Sequence, residues 1–324
     1  MESAKTYAKQ ASLLWLAGFG QACCLHRVFL LCKSSRMLSV RTGQCFLLNG
    51  FIFLGSMVML NNVVIPILLW ILPNQHEQFG THIHGTEAAV ALYSFLRFIL
   101  VELFYIFWFY PLYVFSIVLS TIWYNDIAKH AYDTLRRTGL SMSQDSSKND
   151  KPDPQIFTPT GRPSGIDGVI VGIGEQVYSV LLLTFFFIEV SLTGFIPYVG
   201  KAINFLLLSW MYAYYCFEYK WNHSELSLDK RLDFFESNWA FFAGFGSPCV
   251  LAIFCFSPLV SYGVMAILFP LFVLTAAGTQ AEQVIDSVKS KWEGRGPGKL
   301  QIFYAANTLS MLALQLLPDA QKEQ

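Results

Sequence analysis

The stretch that decides the fold runs from Ser237 to Ala281 and reads SNWAFFAGFGSPCVLAIFCFSPLVSYGVMAILFPLFVLTAAGTQA. It holds 45 consecutive residues without Asp, Glu, Lys or Arg. A helix that spans a bilayer needs about 20 mostly apolar residues, because each residue rises about 1.5 Å and the hydrocarbon is about 30 Å thick. The run is therefore long enough for two spans joined by a tight turn near Ser257-Pro258. Its apolar residues do not alternate with period two, so the reading is helix rather than strand. A bilayer admits only helices or closed barrels, since unpaired backbone groups are costly there. A second uncharged run fills the interval between Arg41 and Glu77. These two runs mark an all-α, polytopic membrane protein.

Composition agrees. The 324 residues include 54% hydrophobic, 16% aromatic and only 14% charged, against about 25% charged in soluble domains. Lys+Arg and Asp+Glu are balanced at 22 each. Zero net charge removes a general nucleic-acid reading, which wants a basic stripe. The low charge and high apolarity also exclude a disordered chain.

Six membrane-embedded helices are predicted. They cover Phe46 to Leu72, Val90 to Ile122, Val169 to Phe195, Ala202 to Phe217, and two within the long uncharged run. Pro66, Pro111 and Pro270 lie inside these stretches and should kink them, which is tolerated where a neighbour satisfies the freed carbonyl. The third and fourth are joined by only Gly194-Phe-Ile-Pro-Tyr-Val-Gly200. Such tight hairpins either cross fully or dip in and return, and sequence length does not separate the two.

Lys and Arg placement sets orientation. Twenty of the 22 lie before the first span, between Tyr124 and Gly168, between Glu218 and Glu236, or in the tail; Arg97 and Lys201 do not. The pattern fits an even number of crossings with both termini cytosolic. Three regions are expected. Residues 1–45 form a cytosolic N-terminal interfacial helix. Residues 46–277 form the membrane domain, with a mobile Ser/Asp/Pro/Gly-rich cytosolic loop at 139–165. Residues 278–324 form a cytosolic tail with an interfacial helix over Leu300 to Leu317. Lys5 and Lys9 before an apolar stretch also suit a signal peptide. A chain that stays apolar to Cys32 and then turns basic favours an uncleaved surface helix.

Chemistry-bearing residues are few. The seven cysteines form no evident lumenal pair, so disulfides are not implied. Cys23-Cys24 suits palmitoylation, though buried thiols are the commoner case. His76, His82 and His84 with Glu77 and Glu87 crowd one non-cytosolic loop, but the spacing matches no sharp zinc template. No metal, cofactor or catalytic set is expected. Arg97, Glu102, Glu189 and Lys201 sit nearest the spans; intramembrane charges are functional candidates by default. Arg97 and Lys201 suit an anion pathway. Snorkelling or mutual ion pairs at one interface explain all four more cheaply. Asn61 and Asn62 are placed to hydrogen-bond between helices.

One segment is specific. Tyr214-Tyr-Cys-Phe-Glu-Tyr-Lys-Trp-Asn-His223 leads into a polar helix-like stretch, Leu226 to Glu236. It continues through Asn238-Trp239, Gly244-Phe-Gly246 and Pro248 to Ile267-Leu-Phe-Pro-Leu-Phe272. This closely resembles the etoposide-induced 2.4 family of endoplasmic reticulum membrane proteins, in its plant-like form. Ser120-Thr-Ile-Trp-Tyr-Asn-Asp-Ile-Ala128 resembles a further element of that family. Ile196-Pro197 with Gly200, and Glu218-Tyr219 with Asn222-His223, are similar to the bacterial CysZ sulfate permeases. The resemblance implies a non-enzymatic multi-pass protein of the endoplasmic reticulum acting in autophagy, with the bilayer and autophagy or endoplasmic reticulum membrane proteins as partners. It also implies hairpins that enter the membrane only partly. The alternative is a CysZ-like transporter with a sulfate-like anion as ligand. The residues carried over as a signature, structural or functional, are Pro197, Gly200, Glu218, Tyr219, Trp221, Asn222, His223, Asn238, Trp239 and Pro270. Ser224 stands where the CysZ pattern has glycine, which counts against sulfate transport.

Overall fold

The computed structural model describes residues 2–71, 87–137, 166–224, 226–254, 256, 258–292 and 296–316. The histidine-rich loop 76–84 and the loop 139–165 lie outside them. All regular structure among the described residues is helical. In chain order the helices are α1 (Glu2–Ala22), α2 (Leu25–Ser34), α3 (Arg36–Ile71), α4 (Glu87–Arg137), α5 (Ile166–Thr193) and α6 (Gly200–His223). Then come α7 (Leu228–Ser237), α8 (Trp239–Phe254), α9 (Pro258–Ala277), α10 (Ala281–Lys289) and α11 (Tyr304–Leu316).

Among the described residues, Ala4–Ser34 and Arg36–Ile71 are long and apolar enough to cross a membrane. Two further apolar pairs are sharply bent: α7 with α8 by 89°, and Gly263–Ala277 with Ala281–Lys289 by 65°. Large apolar side chains stand outward over the molecule, including Trp70 of α3, Phe107 of α4 and Phe195 in the turn after α5, the last 85% exposed. A water-facing surface does not carry so continuous an apolar coat. The chain is a polytopic helical membrane protein.

Its centre is α8, the first half of the decisive run. Every residue from Ala240 to Ser247 is buried. Glycines explain how a helix can be enclosed on all sides. A Cβ on Gly244 would sit 1.9 Å from the Trp15 carbonyl oxygen of α1, and one on Gly18 would sit 2.0 Å from that of Phe241. On the opposite side, a Cβ on Gly246 would sit 1.7 Å from the Ser209 carbonyl oxygen of α6. α1, α8 and α6 therefore meet backbone to backbone, the small-residue packing that drives helix association where no hydrophobic effect operates. The N-terminal helix thus lines the core, with Leu14 and Ala22 fully enclosed.

The C-terminal segment also enters the core. Phe303 packs on Phe186, Tyr214 and Phe235, and Ala306 and Ser310 are buried.

The two tight turns fall where the sequence places them, at 194–199 and between Phe254 and Pro258. In the first, the Val199 N–H donates to the Pro197 carbonyl at 2.8 Å, closing a γ-turn whose central residue, Tyr198, has φ 64°. A Cβ on Gly200 would approach the Thr193 carbonyl to 2.6 Å, so glycine there lets α6 start against the end of α5.

Two helices depart from the predicted spans. α3 begins at Arg36 rather than Phe46, and contains π-helical stretches at Leu48–Leu54 and Leu60–Val64. α4 has 51 residues and runs on to Arg137. Its final third carries a second apolar stripe at Tyr124, Ile127 and Ala131, which packs on Val28 and Leu31 of α2, Leu38 of α3 and Leu274 of α9. Spacing of three and four residues keeps that stripe on one face.

Pro270 shows how a proline survives inside α9. It lacks an N–H, so the carbonyl of Ala266, four residues earlier, loses its helical donor. Asn49 Nδ2 of α3 donates to that oxygen at 2.8 Å, and the Tyr124 hydroxyl of α4 donates to it at 3.0 Å. Ser120 Oγ donates in turn to Asn49 Oδ1 at 3.1 Å. The kinked helix is thus pinned to two neighbours by the defect itself. Asn49→Ala with Tyr124→Phe is expected to lower stability by about 1–3 kcal/mol. Each single change should cost less than half of that, because one donor remains; thermal unfolding of detergent-purified protein reads both.

Candidate functional site

The polar side chains gather at one end, where α6, α9 and α1 finish and α7 and α10 begin. α6 ends in the signature. Glu218 Oε1 accepts from Ser179 Oγ of α5 at 3.0 Å. Tyr219 packs against Phe269 of α9, with centroids 6.4 Å apart. Trp221 is buried among Tyr214, Phe217, Phe234 and Phe242. Offset and edge-on rings of this kind supply area and fixed geometry together. Asn222 Oδ1 accepts from Arg231 Nη1 at 2.5 Å. His223 is the last residue of α6.

Arg231 organises this end. It is buried, and its Nε and Nη2 also donate to the carbonyls of Leu226 at 2.7 Å and Trp221 at 3.5 Å. A guanidinium fits here because the last carbonyls of a helix have no intrahelical donor and carry the negative end of its dipole. The α9 terminus is treated alike. Lys220 Nζ donates to the Thr279 carbonyl at 2.6 Å, and Arg27 Nη1 reaches Gln21 Oε1 at 2.7 Å and the Gly278 carbonyl at 3.4 Å.

The elbow between α7 and α8 forms the second half of the layer. Asn238 stands at the bend; its Nδ2 donates to the Phe234 carbonyl at 2.8 Å, and its Oδ1 accepts from Lys289 Nζ at 2.7 Å. The Trp239 carbonyl accepts from Trp210 Nε1 at 2.9 Å, and Trp239 Nε1 donates to the Gly298 carbonyl at 3.2 Å. Glu236, buried, accepts the Phe303 N–H at 3.1 Å and pairs with Lys299 at 3.3 Å. Lys299 also meets Asp233 at 2.7 Å. That hydrogen bond to Asp233 raises the Lys299 ammonium above its ordinary value, with Glu236 adding to it. A raised lysine value contributes stability that is present at neutral pH and is lost only above the usual lysine range. Because Lys299 and Asp233 are well exposed, that contribution is below about 1 kcal/mol.

Arg97 and Lys201 are placed differently. Arg97 is part-buried in α4, its Nε unpartnered among the described residues, and Lys201 is exposed at the start of α6. Among the described residues no ion pair joins Arg97, Glu102, Glu189 and Lys201. No cluster of three His, Cys, Asp or Glu suited to a metal occurs among the described residues. A shallow apolar groove opens on α3 beside Phe46, Gly50, Leu54 and Val58.

Sequence reading singled out Glu218, Asn222 and Asn238 but not their partners Ser179, Arg231 and Lys289, nor Asn49 or Glu236. The first three partners lie nine to 51 residues away. Only a buried charge just after the signature, Arg231, was within reach of the motif.

The family model described as sulfate transporter CysZ/etoposide-induced protein 2.4 matches residues 24–270. The chain belongs to that family. It is 57% identical over 312 residues to the Protein EI24 homolog of Arabidopsis thaliana, covering 96% of this chain and 97% of that one. A Protein EI24 homolog of Dictyostelium discoideum is 26% identical, over 94% of this chain and 84% of that one. Ectopic P granules protein 4 of Caenorhabditis elegans is 27% identical over 51% of this chain and 46% of its own length. No solved structure matches. The family match spans α2 to the middle of α9, so it takes in the signature, the α7–α8 elbow and Pro270 but stops before α10.

Proposed function

We propose that this family member is a non-enzymatic, multi-pass endoplasmic reticulum membrane protein acting in autophagosome formation or maturation, with both termini in the cytosol. The observation that carries this reading is the use made of the signature. Glu218, Asn222 and Asn238 each give a side-chain oxygen to another helix, through Ser179, Arg231 and Lys289. Groups committed in this way hold a surface in shape, as a membrane platform for partner proteins requires. The basic end of the bundle is the face presented to the cytosol, since Lys and Arg concentrate on that side of a membrane. Deleting the gene should block autophagic flux under starvation while a tagged copy co-distributes with an endoplasmic reticulum marker. Unchanged flux in the deletion would refute the process, and a tag in another membrane would refute the compartment.

Anion transport is the second reading. It is favoured by the unpartnered Nε of Arg97 in a membrane helix and by the CysZ half of the family description. Sulfate uptake into liposomes holding the purified protein, reduced by Arg97→Ala or Lys201→Ala, would support it. Silence of the wild type would end it.

A further inference from the structure

We infer that the corner between α2 and α3 is a binding site for an anionic phospholipid headgroup of the bilayer that holds the protein. The inference is independent of the autophagy reading and needs only the membrane class. One side of α2, through Val28 and Leu31, is buried against α4 and α9. The opposite side is bare: Leu25, Phe29 and Leu30 are all exposed, Phe29 at 69%. Positions 25, 29 and 33 fall in one row on a helix, so Lys33 stands in line with the two apolar residues. Ser35 breaks the helix in an extended conformation and caps α3, its Oγ accepting from the Leu38 N–H at 3.4 Å. Arg36 opens α3, with Met37 exposed beside it. Lys33 and Arg36 are both exposed, and neither forms an ion pair among the described residues.

Three facts assign the occupant. First, no Asp or Glu lies between Glu2 and Glu77, while six Lys and Arg do. Asp126 and Asp133 are the acidic residues in the last third of α4, the part packed against this corner, and neither pairs with Lys33 or Arg36. Second, α3 passes from this corner directly into its uncharged run at Thr42, six residues and about 9 Å of helix beyond Arg36. The cations therefore stand at the depth of headgroup phosphates. Third, Phe29, Leu30, Met37 and Val40 are exposed around them, an apolar setting that suits the acyl boundary and not a soluble anion. Basic residues immediately outside a membrane helix attract anionic headgroups at about 1 kcal/mol each.

The test uses the full chain, purified in non-ionic detergent, with thermal unfolding followed by tryptophan fluorescence. Saturating phosphatidylserine is expected to raise the midpoint by about 5 °C, as a site filled far above its dissociation constant does. Phosphatidylcholine should raise it by less than half as much. The pair Lys33→Gln with Arg36→Gln should lose at least half of the phosphatidylserine shift, and Phe29→Ser should lose part of it. Both sets lie on the surface, so the midpoint without lipid should stay within about 1 °C of wild type. Equal shifts with the two lipids, or a full shift in the double glutamine variant, would overturn the assignment. So would an equal shift with inositol hexakisphosphate or polyglutamate, which would point to a soluble anion or an acidic protein instead.

Discussion

Gly246→Ala is expected to leave little or no folded protein. The added methyl would stand 1.7 Å from the Ser209 carbonyl oxygen, and 2.8 Å from the Ser209 Cα. Neither atom belongs to a flexible side chain, so the clash is relieved only by moving α6 off α8. Overpacking a core usually costs about 1–3 kcal/mol when side chains can adjust. Here two backbones must part, and every ring contact between Phe217 and Phe242 or Phe245 is stretched with them. A loss above about 4 kcal/mol is a large share of the stability of a domain. Gly244→Ala should act alike by pushing α1 away, since Trp15 O lies 1.9 Å from the new Cβ. Gly20→Ala is the control: nothing lies within 4 Å of a Cβ there. A single monodisperse gel-filtration peak is expected for wild type and Gly20→Ala, and an aggregate for the other two. A folded Gly246→Ala protein with an unaltered melting point would show that α8 is not enclosed in this way.

The second large effect is expected at Arg231. Arg231→Met keeps much of the stem's volume but leaves the carbonyls of Leu226 and Trp221 and Oδ1 of Asn222 without this donor. Orphaning a buried acceptor costs about 1–3 kcal/mol; the Trp221 carbonyl keeps the Ser224 N–H at 3.1 Å and Asn222 is exposed, so the loss falls mainly on the Leu226 carbonyl and comes to about 1–3 kcal/mol. Arg231→Lys should recover only a minor part, because one ammonium cannot replace a rigid fork that reaches three acceptors. The loss should be local first. Limited proteolysis should cut between α6 and α7 in Arg231→Met at temperatures where the wild type resists. Equal melting points and equal cleavage would mean that the end of α6 is held by other contacts.

Much of the architecture was legible because it follows from one-dimensional quantities. A run of 45 uncharged residues announces two helices and their turn, and Pro258 marks where the second begins. The hairpin at Pro197 and Gly200 was equally plain. Other features were illegible for physical reasons. Gly18 sits in an apolar helix that reads as a surface element, and nothing local says that its missing Cβ is matched by Gly244. α4 runs on past its predicted span because helix does not stop where hydrophobicity does: the stretch after Ile122 contains no breaker and keeps an apolar stripe. The signature drew attention to the right end of the molecule. What its polar atoms do there depends on partners distant in sequence, and a motif names only its own residues. Asn61 and Asn62 drew the eye as asparagines inside a span, whereas the buried one that braces Pro270 is Asn49.

The meeting of α1 with α8 has a consequence for biosynthesis. Gly18 leaves the ribosome 226 residues before Gly244, a delay on the order of 10–45 s at about 5–20 residues per second. During that interval the groove that α8 will fill is open, with Leu14 and Trp15 bare to lipid or to the insertion machinery. α5 and α6, by contrast, have each other almost as soon as they are made. The bundle is thus closed by its oldest segment waiting for one of its youngest, and any slowing of translation between them lengthens the time that an unfinished chain must be kept from aggregating.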